Sequence, residues 1–130
     1  MTSSIRMAAF AAPSELAAVE AARGHLVRAL DSTGGGWAVG CQYVETIGDL
    51  TAEPAGTVLL ASLLPDVDLN EAWDETEARL RDVYSALSER GDPVFICTVL
   101  RHAGDGDREA AAHRRVRIRR LNALATELSR

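Results

Sequence analysis

Apolar and polar residues alternate along this chain with two different periods, which predict its helices and strands. Residues 14–30 and 69–90 carry apolar side chains every three to four positions, as helices that bury one face do. Asp68 and Glu71 fit the capping box that begins a helix, and Gly91 stands where a helix commonly ends. The pattern therefore predicts two amphipathic helices with defined boundaries.

Three short apolar runs between the helices predict strands. They cover residues 37–44, 57–64 and 93–100, and the last two are apolar on both faces, as in a buried parallel sheet. Residues 46–55 are predicted to be a loop with one helical turn. A last helix is expected from Asp107 to the chain end, with five residues facing inward: Ile118, Leu121, Leu124, Ala125 and Leu128.

The order of these elements indicates an α/β fold. Strands that alternate with helices form parallel sheets with right-handed crossovers and helices on both faces. We expect residues 1–130 to form a single small three-layer domain with a short parallel sheet of about three strands, and residues 1–13 to be a loose or edge segment. So small a sheet leaves exposed edges, and the chain stops on a helix without a further strand. Both features favour a homodimer.

Composition narrows the possible functions. No apolar run approaches the ~18 residues needed to cross a bilayer, so no membrane association is expected. All fourteen basic residues are arginine, which excludes Schiff-base and P-loop chemistry that depends on lysine. Cys41 and Cys97 lie in apolar runs without metal-ligand spacing, which suits buried thiols in a cytoplasmic protein. We expect no cofactor and no metal site.

Charge is distributed unevenly. Residues 108–130 contain seven arginines and two glutamates, whereas acidic residues concentrate between 66 and 77. Five arginines fall within seven residues of the last helix: Arg114, Arg115, Arg117, Arg119 and Arg120. The sequence pI of 5.1 and the absence of aromatic residues among them argue against nucleic acid as a partner. We expect this helix to bind acidic surface in the same chain, in a second subunit or in an acidic protein or peptide.

The carboxyl ends of the predicted strands are the expected place for a ligand. An enzyme at this edge would use His102 as acid and base, Arg101 as an anion clamp, and Asp66 or Asp68 as the orienting carboxylate. Three of these residues also have a purely structural explanation: His102 as a solvated loop residue, Arg101 in a surface ion pair, and Asp68 as a helix cap. Both interpretations stay open at this point.

Three segments of the downstream half match packing motifs of a known family. They are TVLLASL at 57–63, DPVFICTVL at 92–100 and RRVRIRRLNALATELSR at 114–130. With the helix between the first two, they resemble SGNH/GDSL hydrolase-like proteins over about residues 57–130. The resemblance implies a layered α/β/α fold, flavodoxin-like in outline, and an ancestry among hydrolases.

The catalytic blocks of that family are missing or degenerate in this chain. The family uses the serine of a Gly-Asp-Ser block, glycine and asparagine oxyanion donors, and a late Asp-x-x-His. Here Leu50 stands where the serine would follow Gly48 and Asp49, and Leu64-Pro65-Asp66 replaces the asparagine turn. Because these catalytic positions are empty, we expect a degenerate SGNH-hydrolase-like protein that acts by binding, as a dimeric accessory protein. A bacterial specialised-metabolite pathway is a further hypothesis, based only on the alanine- and arginine-rich composition that GC-rich genomes favour.

Overall fold

The computed structural model describes residues 3–67, 70–98 and 108–129, which contain four strands and three α-helices. The strands are β1 (Ser3–Phe10), β2 (Trp37–Tyr43), β3 (Val58–Ser62) and β4 (Val94–Cys97). The α-helices are α1 (Leu16–Asp31), α2 (Trp73–Glu89) and α3 (Arg108–Leu128). Short 3-10 helices occupy Pro13–Glu15, Ile47–Ala52 and Leu64–Asp66.

All four strands pair in parallel, in the order β2-β1-β3-β4. The α/β class and the parallel sheet confirm the prediction, but the described residues form four strands rather than about three. The additional strand is β1, which lies inside the sheet, whereas residues 1–13 were expected to be a loose or edge segment. Its outer half carries Ser3, Ser4 and Arg6, and only Met7, Ala8 and Ala9 are buried, so its apolar signal is short.

The chain reverses direction across the sheet after β1. It passes through α1 to β2 on one side, returns past β1 to β3, and then passes through α2 to β4 on the other side. Crossovers between parallel strands are right-handed, so this reversal places α1 on one face and α2 on the opposite face. An ion pair between Arg81 and Glu127 joins α2 to α3, which lies beside it.

The main core lies between the sheet and the layer formed by α2 and α3. Leu59 from β3, Leu80 from α2 and Leu121 from α3 are all fully buried there. The expected inward face of α3 is confirmed, because Ile118, Leu121, Leu124 and Ala125 are buried and Leu128 packs at the margin of the cluster. Burial of these aliphatic side chains is the main source of stability for a domain of this kind.

Each face of the sheet is covered over only part of its width. On the face of α1, Val58 and Leu60 are half-buried and Phe95 is 59% exposed. On the face of α2 and α3, Arg6 of β1 and Gly40 of β2 are exposed. The open parts therefore lie at opposite edges of the sheet and on opposite faces.

The boundaries of α2 differ from the prediction at one end. The helix begins at Trp73, later than the predicted residue 69, and its N-cap is Ala72 without a side-chain cap. Glu71 therefore takes no part in a capping box, and Asp68 lies outside the described residues. At the other end Gly91 has a φ of +76°, a left-handed conformation that suits glycine, and it ends the helix as predicted.

Candidate functional site

The direction reversal of the sheet marks the place where an open α/β fold commonly binds ligands. That place is the carboxyl edge between β1 and β3, from which the chain departs to opposite faces. Two groups of polar side chains border it. We call Glu15, Ser62 and Cys97 the edge cluster, and we call the group of Asp66, Glu71, Thr76, Arg79 and Arg117 the acid–arginine cluster.

Ser62 is the fully buried centre of the edge cluster. Its hydroxyl donates to Glu15 Oε2 at 2.7 Å and accepts the backbone N–H of Leu64 at 3.1 Å. The other carboxylate oxygen of Glu15 accepts the N–H of Ala12 at 2.8 Å. The pair therefore connects the segments that follow β1 and β3, and the Ser62 hydroxyl is committed to that structural role.

Cys97 lies next to Ser62 across the β3–β4 pairing. Burial raises the pKa of the Cys97 thiol, and the negative charge of Glu15 raises it further. Burial also raises the pKa of Cys41, which lies on β2. Because the thiolate is the reactive form, both half-buried cysteines favour the inert thiol.

Asp66 anchors the acid–arginine cluster from the 3-10 helix after β3. It is 5% exposed, and its Oδ1 accepts a hydrogen bond from Arg79 Nη2 at 2.9 Å. The same Arg79 nitrogen donates to Glu71 Oε1 at 2.8 Å, and Thr76 Oγ1 donates to that oxygen at 2.5 Å. Arg79 thus bridges two carboxylates and fixes the end of β3 against α2.

Arg117 enters this cluster from α3 and is 6% exposed. It donates to the carbonyl of Glu71 at 2.8 Å, to Thr76 Oγ1 at 2.5 Å and to the carbonyl of Asp66 at 3.4 Å. Its guanidinium carbon lies 5.7 Å from the centre of the Trp73 ring, within the range of a cation–π contact. The planar guanidinium therefore connects α3 to both the loop and α2.

Two buried polar atoms lack a hydrogen-bond partner in the part of the chain that is described: Asp66 Oδ2 and the Tyr84 hydroxyl. Burial raises the pKa of Asp66, an effect that the hydrogen bond from Arg79 opposes. Burial and the charge of Asp66 raise the pKa of Tyr84. Burial therefore disfavours the negative form of Asp66, whereas hydrogen bonds from Arg79 and Thr76 favour the negative form of Glu71.

Asp66→Asn and Glu71→Gln are expected to change stability with opposite pH dependence. A raised pKa means that folded Asp66 binds protons that the unfolded chain has released, so its stabilising contribution is lost as pH rises through this window. Hydrogen bonds from Arg79 and Thr76 lower the pKa of Glu71 from 4.5 to about 2, so its contribution is lost as pH falls toward 2.

Urea unfolding at about pH 3 and about pH 7 measures both effects. At each pH, the stability of a variant is compared with that of the unmodified protein. From about pH 3 to about pH 7 this difference should move in favour of Asp66→Asn and against Glu71→Gln. The same direction of change in both variants would contradict this assignment of charges.

The described residues include only part of the acid–base site that the sequence predicts at the carboxyl edge of the sheet. Asp66 lies at the carboxyl edge as expected, although it is buried and bound to Arg79. Asp68, Arg101 and His102 lie outside the described residues. The edge cluster was not anticipated, because the contact between Glu15 and Ser62 spans 47 positions and depends on β1 lying beside β3.

The segment that imitates a serine block has a structural role. Leu50 is fully buried in the core. Asp49 donates its N–H to Thr46 Oγ1 at 3.3 Å, and Asp49 Oδ2 accepts the N–H of Thr46 at 3.1 Å. This reciprocal pair is a capping box that begins the 3-10 helix. Sequence position and structure therefore agree that no nucleophile stands here.

The arginines of α3 fall into two groups. Arg117 leaves the expected docking set because it is buried, and Arg120, although exposed, lies 5.8 Å from the centre of the Trp73 ring. Arg114 is half-buried. The remaining three are exposed on one side of the helix and make no ion pair within the described ranges: Arg108, Arg115 and Arg119. We call these three the arginine face.

The chain matches no known family model, and no curated protein matches it. None of the helices in the described ranges combines the length and apolar character that crossing a bilayer requires. Within the same ranges, histidine, cysteine, aspartate and glutamate form no group of three placed to hold a metal ion.

Proposed function

We propose that this protein is a degenerate SGNH-hydrolase-like protein that acts by binding, and that an acidic protein or peptide docks on the arginine face. The observation that carries this proposal is the contrast among the arginines. Arg79, Arg81 and Arg90 are all paired with carboxylates, whereas Arg108, Arg115 and Arg119 face solvent on one side of α3.

The strand order and the serine environment both support this proposal. The order β2-β1-β3-β4 coincides with the first four strands of the flavodoxin-like order. Leu50 occupies the serine position of the degenerate block and is fully buried, while the hydroxyl of Ser62 is bound to Glu15. Because Leu50 serves packing and the Ser62 hydroxyl is already bound, this site favours binding over ester hydrolysis.

Charge and shape favour an acidic partner. Guanidinium groups bind carboxylates through two parallel hydrogen bonds, and a positive patch steers an acidic surface during encounter. Arg108 and Arg115 are two helical turns apart, which is about 10 Å at the rise of an α-helix. Ala112 and Ala123 lie on the same exposed side, so a partner chain can approach the helix closely.

Binding of a fluorescent oligoglutamate peptide tests this function. Arg115→Glu is expected to weaken binding about tenfold, because each like-charge contact opposes association. Arg28→Glu changes the net charge equally on exposed α1, where Arg28 contacts His25, and is the matched control. We expect the control to change affinity less than twofold and added salt to weaken binding in the unmodified protein.

Equal losses in both variants would show that net charge alone governs binding. An unmodified protein that does not bind the peptide at low salt would contradict the proposed function.

A further inference from the structure

The outward side of α2 carries a row of acidic side chains. Asp74, Glu75, Asp82 and Glu89 are exposed, and none of them makes an ion pair within the described ranges. We call these four the acidic face. It contrasts with the inward side of the same helix, where Leu80, Tyr84 and Leu87 are buried.

α2 and α3 run side by side in the same direction. Trp73, at the start of α2, contacts Arg117 and Arg120, and Arg81 further along α2 pairs with Glu127 at 3.0 Å. Residues 73–81 of α2 are therefore level with residues 117–127 of α3. This places the first turn of α2 level with the middle of α3.

Ion pairs and ring contacts engage the charged side chains at the seam between the two helices. Arg81 pairs with both Glu77 and Glu127, and Arg117 and Arg120 of α3 lie against Trp73. The charged side chains that make neither an ion pair nor a ring contact within the described ranges therefore lie on the outer sides of the helices. They are acidic on α2 and basic on α3. One surface thus carries two adjacent stripes of opposite charge.

We infer that the acidic partner of the arginine face is a second copy of this chain, docked through the first turn of its α2, where Asp74 and Glu75 begin the acidic face. A twofold axis that runs along the two helices, between them, places α2 of each copy against α3 of the other. Asp74 and Glu75 of one copy then face Arg115 and Arg119 of the second, and the same contact recurs by symmetry. This inference rests on the proposed function and names its partner.

Only this orientation of the axis is electrostatically favourable. A twofold axis across the helices would set α2 against α2 and α3 against α3, so like charges would face each other. Small exposed residues at the same level of the two helices, Ala78 on α2 and Ala123 on α3, allow close approach. Val116 is 40% exposed between the arginines and would be covered in the pair.

Charge reversal with complementation tests this arrangement by sedimentation at low salt. Asp74→Arg/Glu75→Arg and Arg115→Glu/Arg119→Glu should each weaken self-association at least about tenfold. An equimolar mixture of the two variants should restore the pair, because both contacts again join opposite charges. Restoration also shows that both variants are folded.

Asp82→Arg/Glu89→Arg is the matched control. It makes the same change of charge on the same face, but its residues lie about 10 and 20 Å further along α2 than Glu75. We expect it to leave self-association unchanged.

The outcomes separate this inference from the proposed function. An unmodified protein that sediments as a monomer at high concentration and low salt overturns the second-copy arrangement, and so does a mixture that fails to associate. A monomer that still binds oligoglutamate through Arg115 leaves the proposed function standing. Loss of association in the Asp82/Glu89 control would overturn the level assigned to the contact.

Discussion

Leu50→Ser is expected to lower the free energy of unfolding by about 3–5 kcal/mol and to produce no hydrolase. Leu50 is fully buried, and its 3-10 helix packs against α2. Truncation removes aliphatic contacts and leaves a cavity, and the new hydroxyl would be buried among apolar side chains. The substitution introduces the residue type of a Gly-Asp-Ser block at a position that serves packing.

Urea unfolding and hydrolysis of a short acyl ester measure the two parts of this prediction. Leu50→Met is the control, since it conserves volume and should cost less than about 1.5 kcal/mol. Esterase turnover in the serine variant would argue that the block still forms a working site and would undermine the proposed binding function. Unchanged stability would contradict the burial of Leu50.

Arg117→Ala is expected to cost about 3 kcal/mol of stability, although it removes one arginine from an arginine-rich helix. The substitution leaves the carbonyls of Asp66 and Glu71 and the hydroxyl of Thr76 without their donor. Buried acceptors that lose their partner carry the full penalty of desolvation.

Arg115→Ala, two positions earlier on the same helix, provides the comparison. Arg115 is exposed, and surface substitutions of this kind typically change stability by less than about 0.5 kcal/mol. Chemical unfolding of both variants checks the contrast. Equal losses of stability in the two variants would contradict the burial of the Arg117 side chain.

The sequence predicts the helices from apolar residues that recur every three to four positions, and three of the strands from continuous apolar runs. It does not predict β1, whose buried part consists of Met7, Ala8 and Ala9. Alanine has little β-propensity, and the polar residues before this run resemble a loose segment. Burial of β1 depends on its two neighbours in the sheet, which no local pattern reveals.

Part of the acid–arginine cluster can be predicted from the sequence. Arg117 precedes Leu121 by four positions and Leu124 by seven, so helical spacing places it on the inward side of α3. That spacing distinguishes it from Arg115 and Arg119. The contact between Glu15 and Ser62 cannot be predicted from the sequence, because it depends on β1 lying beside β3 in the sheet.

The interior position of β1 has a consequence for how the chain folds. β1 precedes both strands that flank it along the chain, with Ser3 opposite Trp37 and Met7 opposite Val58. Each pairing closes a loop of several tens of residues before any sheet contact forms, and such non-local pairing slows folding. After β2 has paired with one edge of β1, the other edge of β1 stays open until β3 is available, so β3 is the strand that makes β1 an interior strand.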